Sequence, residues 1–174
     1  MRATHLALVA ALVVTPFTTQ AQAAKAGGID DAAIVGIFDA ANSWDMSTGS
    51  LAASKGTRQD VKDFGRMLAD AHKAVQQQGR DLAKKLGVTP TPVAKDFALL
   101  VDYNMTMKKL GGLKGAAFDK AFLEHEVAYH TAVIDAVTKQ FLPAIKNAEL
   151  KAFVEKVAPA FQAHLAGAQD LLKK

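Results

Sequence analysis

Between residues 61 and 86 the apolar and small side chains recur in alternate steps of four and three: Val61, Gly65, Leu68, His72, Val75, Gly79, Leu82, Leu86. Only an α-helix keeps that spacing on one side, and the stripe it creates must be covered by other helices. Lys55-Gly56 reads as a turn before it, Thr57 as its N-cap with Asp60 three residues on, and Gly87 as its C-cap. Three further segments carry the same signature. Residues 30–54 place Ile34, Phe38, Ala41, Asp45, Thr48 and Ala52 in line, and residues 118–141 place Leu123, Glu126 or Val127, His130, Ile134, Val137 and Phe141 in line. The last segment, opened by Asn147 as a cap, aligns Leu150, Phe153, Val157, Phe161, His164, Ala168 and Leu171, with Pro159 predicting a kink or two abutting helices.

No sustained period-two run and no Asn-Gly or Asp-Gly hairpin turn competes with these helices. Aromatic residues make up only 7% of the chain, whereas half of it is hydrophobic and 22% is charged, which suits an all-α globular fold. There is no Cys, so disulfides, thiolate nucleophiles, iron–sulfur clusters and thiolate zinc sites are excluded.

The N-terminal segment reads as an address. Arg2, the apolar run Leu6 to Val14, Pro16 and the Ala21-Gln22-Ala23 cleavage pattern form a secretory signal peptide over residues 1–23. The run is too short to span a membrane, and no transmembrane segment follows. Residues 24–174 are then expected as a single exported domain, most simply periplasmic. Its basic residues are scattered rather than blocked, which argues against a nucleic-acid partner.

Four amphipathic helices cover one another most economically as a four-helix bundle. Residues 88–115 then form a crossover. Thr91-Pro92 starts a helix that runs to Leu110, before Gly111, Gly112 and Gly115. Such a helix of about 18 residues spans roughly 27 Å, enough to return the chain along the bundle. Two hairpins joined in this way have the ferritin-like connection.

The stretches DAHKAVQQQGRDLAKKLGVTP, FDKAFLEHEVAYHTAVIDAV and FLPAIKNAELKAFVEKVAPAFQAHL resemble the bacterial exported family called domain of unknown function 4142. The resemblance runs from Ile34 to Leu172 and is most specific in HEVAYH and in the ending at Pro159, His164 and Leu165. It implies a ferritin-like fold and an exported protein, and no reaction. Where the family commonly has Asp-His this chain has Ala71-His72, and where it commonly has Glu on the first helix this chain has Asp45.

One polar residue stands on the apolar stripe of each helix: Asp45, His72, His130 and His164, with Glu126 four before His130. Buried polar groups must be paired, so these side chains are expected to converge. The helical rise puts His72 and His130 on one level, with Asp45, Glu126 and His164 one to two turns above. His125 lies off the stripe and faces solvent or the crossover, and Trp44 packs helix one on a neighbour. The cluster has two readings. In the first it is a hydrogen-bonded network that fixes helix register in a non-catalytic envelope module, whose partner is another envelope protein, the cell surface or a small ligand. In the second it is a site for a single transition-metal ion, with two or three His and one carboxylate. The Glu-x-x-His motif of di-iron bundles is missing, since Ala69, Val127 and Phe161 stand three before the histidines. That departure weights the sequence reading toward the first, with no cofactor required.

Overall fold

The computed structural model describes residues 29–174; the predicted leader lies outside them. Among the described residues the chain is all helical, with no strand. We label the helices α1 (Asp31–Lys55), α2 (Gln59–Leu86), α3 (Ala98–Gly112), α4 (Gly115–Ala136) and α5 (Ala148–Leu172). A π-helical turn, Val137–Phe141, and one last α turn, Leu142–Ala144, extend α4.

α1 packs along α2, and α4 packs along α5; α2 also meets α5, and α1 meets α4. Polar ties fix which ends coincide. At one end Asp31 accepts hydrogen bonds from the backbone N–H groups of Lys146 and Asn147, both at 2.9 Å, and Lys85 pairs with Glu149. At the other end Arg58 reaches the Leu171 carbonyl at 3.1 Å, and Lys55 reaches the Leu110 carbonyl at 2.7 Å. Helices α1, α3 and α5 therefore run one way, and α2 and α4 the other. α3 carries the chain back along the molecule and lies against α1 and α4.

Three local expectations need correction. The crossover helix starts at Ala98, not at Thr91-Pro92. The Thr91 N–H is already committed to the Ala32 carbonyl at 3.0 Å, which ties the chain there to the start of α1. Thr57 does not cap α2; the cap is Arg58, without a side-chain bond. The turn is held instead from α4, where buried Asp119 accepts from the N–H groups of Thr57 and Arg58 at 2.8 and 2.9 Å. Finally, of the two outcomes expected at Pro159, the division into two abutting helices is overturned: α5 runs unbroken through Pro159, which lies on its exposed face. The Glu155 carbonyl that loses its partner there belongs to an exposed residue and is open to water. Asn147 caps α5 as expected, accepting from Glu149 and Leu150.

The apolar core is in two clusters. One gathers Val61, Leu68, Leu110, Phe118 and Phe122 near the α1–α2 turn. The other gathers Ile34, Val137, Phe141, Val154 and Phe161 toward the opposite end. Each fully buried Leu or Phe contributes about 1.5–3 kcal/mol. The polar stripe residues lie between the clusters. Asp119→Ala should cost about 1–3 kcal/mol, the worth of hydrogen bonds to a charged acceptor, and chemical denaturation will measure it.

Candidate metal centre

Asp45, His72, Glu126, His130 and His164 are all buried, between 0% and 6% exposed. They come from four helices, α1, α2, α4 and α5. The three imidazole rings lie 5.0 to 5.7 Å apart centre to centre. The separation into levels read from the helical rise is corrected here, because Asp45 touches both His72 and His130. Side chains on a helix lean toward its N-terminus. Asp45 and His164, on helices running one way, lean down to the level of His72 and His130, which lean up.

Asp45 Oδ2 lies 2.8 Å from His72 Nε2 and 3.3 Å from His130 Nε2. Neither contact has the alignment of a hydrogen bond. Asp45 Oδ2, Glu126 Oε2 and His130 Nε2 are buried without a hydrogen-bond partner among the described residues. Such orphaned buried atoms are rare and call for an explanation.

The neighbours set the ring tautomers. Asn42 donates through Nδ2 to the Phe38 carbonyl at 2.7 Å, so its Oδ1 is turned to accept from His72 Nδ1 at 2.9 Å. His130 Nδ1 donates to the Glu126 carbonyl at 3.1 Å. Each neutral ring therefore carries its proton on Nδ1 and presents a bare Nε2 to the Asp45 carboxylate. His72 Nε2 can accept from His164 Nδ1 at 3.2 Å, whereas His130 Nε2 is left facing an anion. Thr48 completes the surroundings, donating to the Asp45 carbonyl at 3.0 Å and lying 3.2 Å from Glu126 Oε1.

Burial disfavours the charged forms of Asp45, Glu126, His130 and His164. It would raise the Asp45 carboxyl, but the charges it faces at His72 and then at His130 hold it at about 2. Burial pushes Glu126 well above the usual carboxylate range, and the Asp45 charge adds to this. The carboxylates thus divide into one ionised and one protonated, the usual outcome for a close buried pair. Burial lowers His130 and His125, and with the neighbouring imidazoles it brings His164 down to about 4.

The pH dependence of stability follows. Below an ordinary histidine value of 6.5, His125, His130 and His164 take up protons less readily in the folded chain than in the unfolded one, because burial lowers all three. Against them, the folded chain alone keeps the Glu126 proton until the pH nears 4.5. The unfolded state therefore binds more protons, and acid favours it. Without metal, the melting temperature should fall as pH drops from 6.5 toward 4.5; a flat or rising profile contradicts this balance.

His125 does not join the cluster. Its Nδ1 lies 3.3 Å from Thr106 Oγ1 on α3, so it faces the crossover. Trp44 stacks on Tyr103 of α3 at 5.9 Å, the helix packing expected of it. Asn42 was missed by sequence reasoning. Its signal was its position three residues before Asp45, on the same helical face. Thr48 was read only as part of the stripe. Tyr129 donates to the Ala41 carbonyl at 2.8 Å and lies edge-on to His130.

Two triads within the cluster, His72–His130–His164 and Asp45–Glu126–His130, each offer ligand atoms within 4.8 Å of one another. The donor set of imidazole nitrogen and carboxylate oxygen fits a first-row transition metal. A family model described as "Domain of unknown function (DUF4142)" matches residues 15–171. The chain belongs to this family. Membership in DUF4142 brings no reaction with it, so the geometry of these side chains has to carry the functional reading. No curated protein and no solved structure matches the chain. No helix among the described residues is long and apolar enough to cross a membrane.

Proposed function

We propose that this chain is an exported, ferritin-like four-helix bundle that holds a single transition-metal ion in its core. The observation that carries the reading is the convergence of three buried, unpartnered atoms, Asp45 Oδ2, Glu126 Oε2 and His130 Nε2. A network built only to fix helix register would satisfy its members, since a half-satisfied buried network is worse than an apolar one. A cation relieves all three. His72, His130 and His164 would supply nitrogen, and Asp45 the charge; Glu126 is the second carboxylate within reach. Asn42 and the Glu126 carbonyl already hold two rings with Nε2 bare, the role of outer partners in metal sites. Two antiparallel helix pairs joined by α3 support the ferritin-like reading, and the leader over residues 1–23 supports export. The metal reading does not depend on catalysis and is compatible with a protective or binding role in the envelope.

Cobalt(II) titration tests it. The visible bands of nitrogen- and oxygen-ligated cobalt should saturate near one equivalent and vanish in His72→Ala/His130→Ala. A featureless titration of folded wild-type protein would overturn the proposal.

A further inference from the structure

The chain that leaves α2 helps to wall a cleft beside α1 and α2. Gly87 ends α2 in the left-handed conformation, and the Val88 N–H returns to the Ala83 carbonyl at 2.9 Å. Three residues on, the Thr91 N–H is tied to the Ala32 carbonyl at 3.0 Å. The Thr91 carbonyl rests directly on Gly36, where an added Cβ would stand 1.9 Å from the oxygen. Val88, Thr89 and Pro90 are therefore held at both ends, to α2 and to α1, and form a fixed wall.

The cleft has a volume of about 240 Å³ and is open to solvent on one side. An apolar cavity of about 150 Å³ takes one benzene ring, so this is room for a single substituted ring. The lining is chiefly apolar: Val35 and Phe38 from α1, Ala83 from α2, and Val88 and Pro90 from the wall. Phe38 is fixed edge-on by Phe153, with ring centres 5.6 Å apart. The polar members differ in what the fold leaves them. Arg80 forks onto the Asp39 carboxylate, so the two charges offset each other. Lys84 and Thr89 are exposed. Gln76 is only 6% exposed. Its Nε2 donates to the Asp39 carbonyl at 2.8 Å and to Ser43 Oγ, which uses both amide protons. Its Oε1 is left without a partner among the described residues, an acceptor on an otherwise apolar wall.

We infer that this cleft binds a small neutral phenol, with the ring against Phe38 and the Val88–Pro90 wall and the hydroxyl donating to Gln76 Oε1. The site is separate from the metal cluster and does not rest on it. A phenol brings the proton that Gln76 Oε1 lacks, and its ring pairs with Phe38. A carboxylate brings no proton and would lose its hydration against the apolar lining. An ammonium would meet Arg80 and Lys84 in the same cleft. A ring without a polar head would leave Oε1 covered and unpaired.

Amide NMR titrations of the protein with p-cresol, p-xylene and p-toluate test this. These share one ring and differ in the head: hydroxyl, methyl or carboxylate. With p-cresol the amides of Gly79, Arg80 and Val88 should shift and saturate in the millimolar range, while those of Gly111 and Gly112 stay still. The p-xylene should bind several-fold more weakly. In Gln76→Leu that preference should vanish, with p-xylene still bound. Ala83→Leu, which fills the cleft, should lose p-cresol; Val88→Trp serves if that variant does not fold. Shifts that fail to saturate, p-xylene as tight as p-cresol in wild type, tighter p-toluate, or undiminished binding by the filled variant would each overturn the inference. None of these titrations uses metal, so they leave the metal reading where it stands.

Discussion

Gly65→Ala should destabilise the protein by about 2 kcal/mol, although Ala is the better helix former by about 1 kcal/mol. A Cβ at Gly65 would stand 2.6 Å from the Gly49 carbonyl oxygen and 2.8 Å from the Ala53 nitrogen. Both atoms are backbone, so no rotamer change relieves them, and α1 and α2 must separate. Overpacking of this kind costs about 1–3 kcal/mol and sometimes more, which outweighs the gain in propensity. The site should respond as well. Gly49 lies about one turn beyond Asp45, and Gly65 about two turns before His72. Separating the helices would lengthen the 2.8 Å approach of Asp45 to His72 and weaken metal retention. Gly111→Ala is the control. Its Cβ would meet nothing within 4 Å, so it should be neutral or slightly stabilising. Denaturant unfolding of both variants decides the matter, and a stabilised Gly65→Ala contradicts the close crossing.

Metal should raise the stability of the folded chain, because the five side chains come from helices that are held together only when the protein is folded. At a free metal concentration on the order of 1,000 times the dissociation constant, the gain is about 4 kcal/mol. Asp45→Asn keeps the shape of the side chain but removes the one carboxylate held ionised at about 2. In that variant the metal-dependent shift in melting temperature should nearly disappear, with the helical content of the metal-free protein retained. An equal shift in wild type and Asp45→Asn would mean that metal binds elsewhere. No shift in either would mean that the cluster is a polar network alone.

The helices and their order were legible because the stripes are long and regular. The convergence of Asp45, His72, Glu126, His130 and His164 was legible for a related reason. A polar residue standing on an apolar stripe must meet others like it. What the rise per residue could not convey was the lean of the side chains, which closes the gap between Asp45 and the histidines. Asn42 escaped notice because it lies beside the stripe of α1 and matters only through the ring it orients. Asp119 escaped because its partners, the N–H groups of Thr57 and Arg58, are distant in sequence. The start of α3 was misplaced because Thr91-Pro92 has the chemistry of a helix start, while its backbone is engaged by α1. Nothing in the local sequence marks the π turn after Ala136, since it arises where α4 ends against its neighbours.

The central claim is that the unpartnered atoms of this cluster exist to hold a metal. The most direct measurement is elemental mass spectrometry of the mature chain, purified without a His-tag from an exported fraction, beside the His72→Ala/His130→Ala variant. The account predicts about one transition-metal ion per wild-type chain and none in the folded variant. A folded wild-type chain that carries no metal, even after incubation with iron, copper, zinc and manganese, would contradict it.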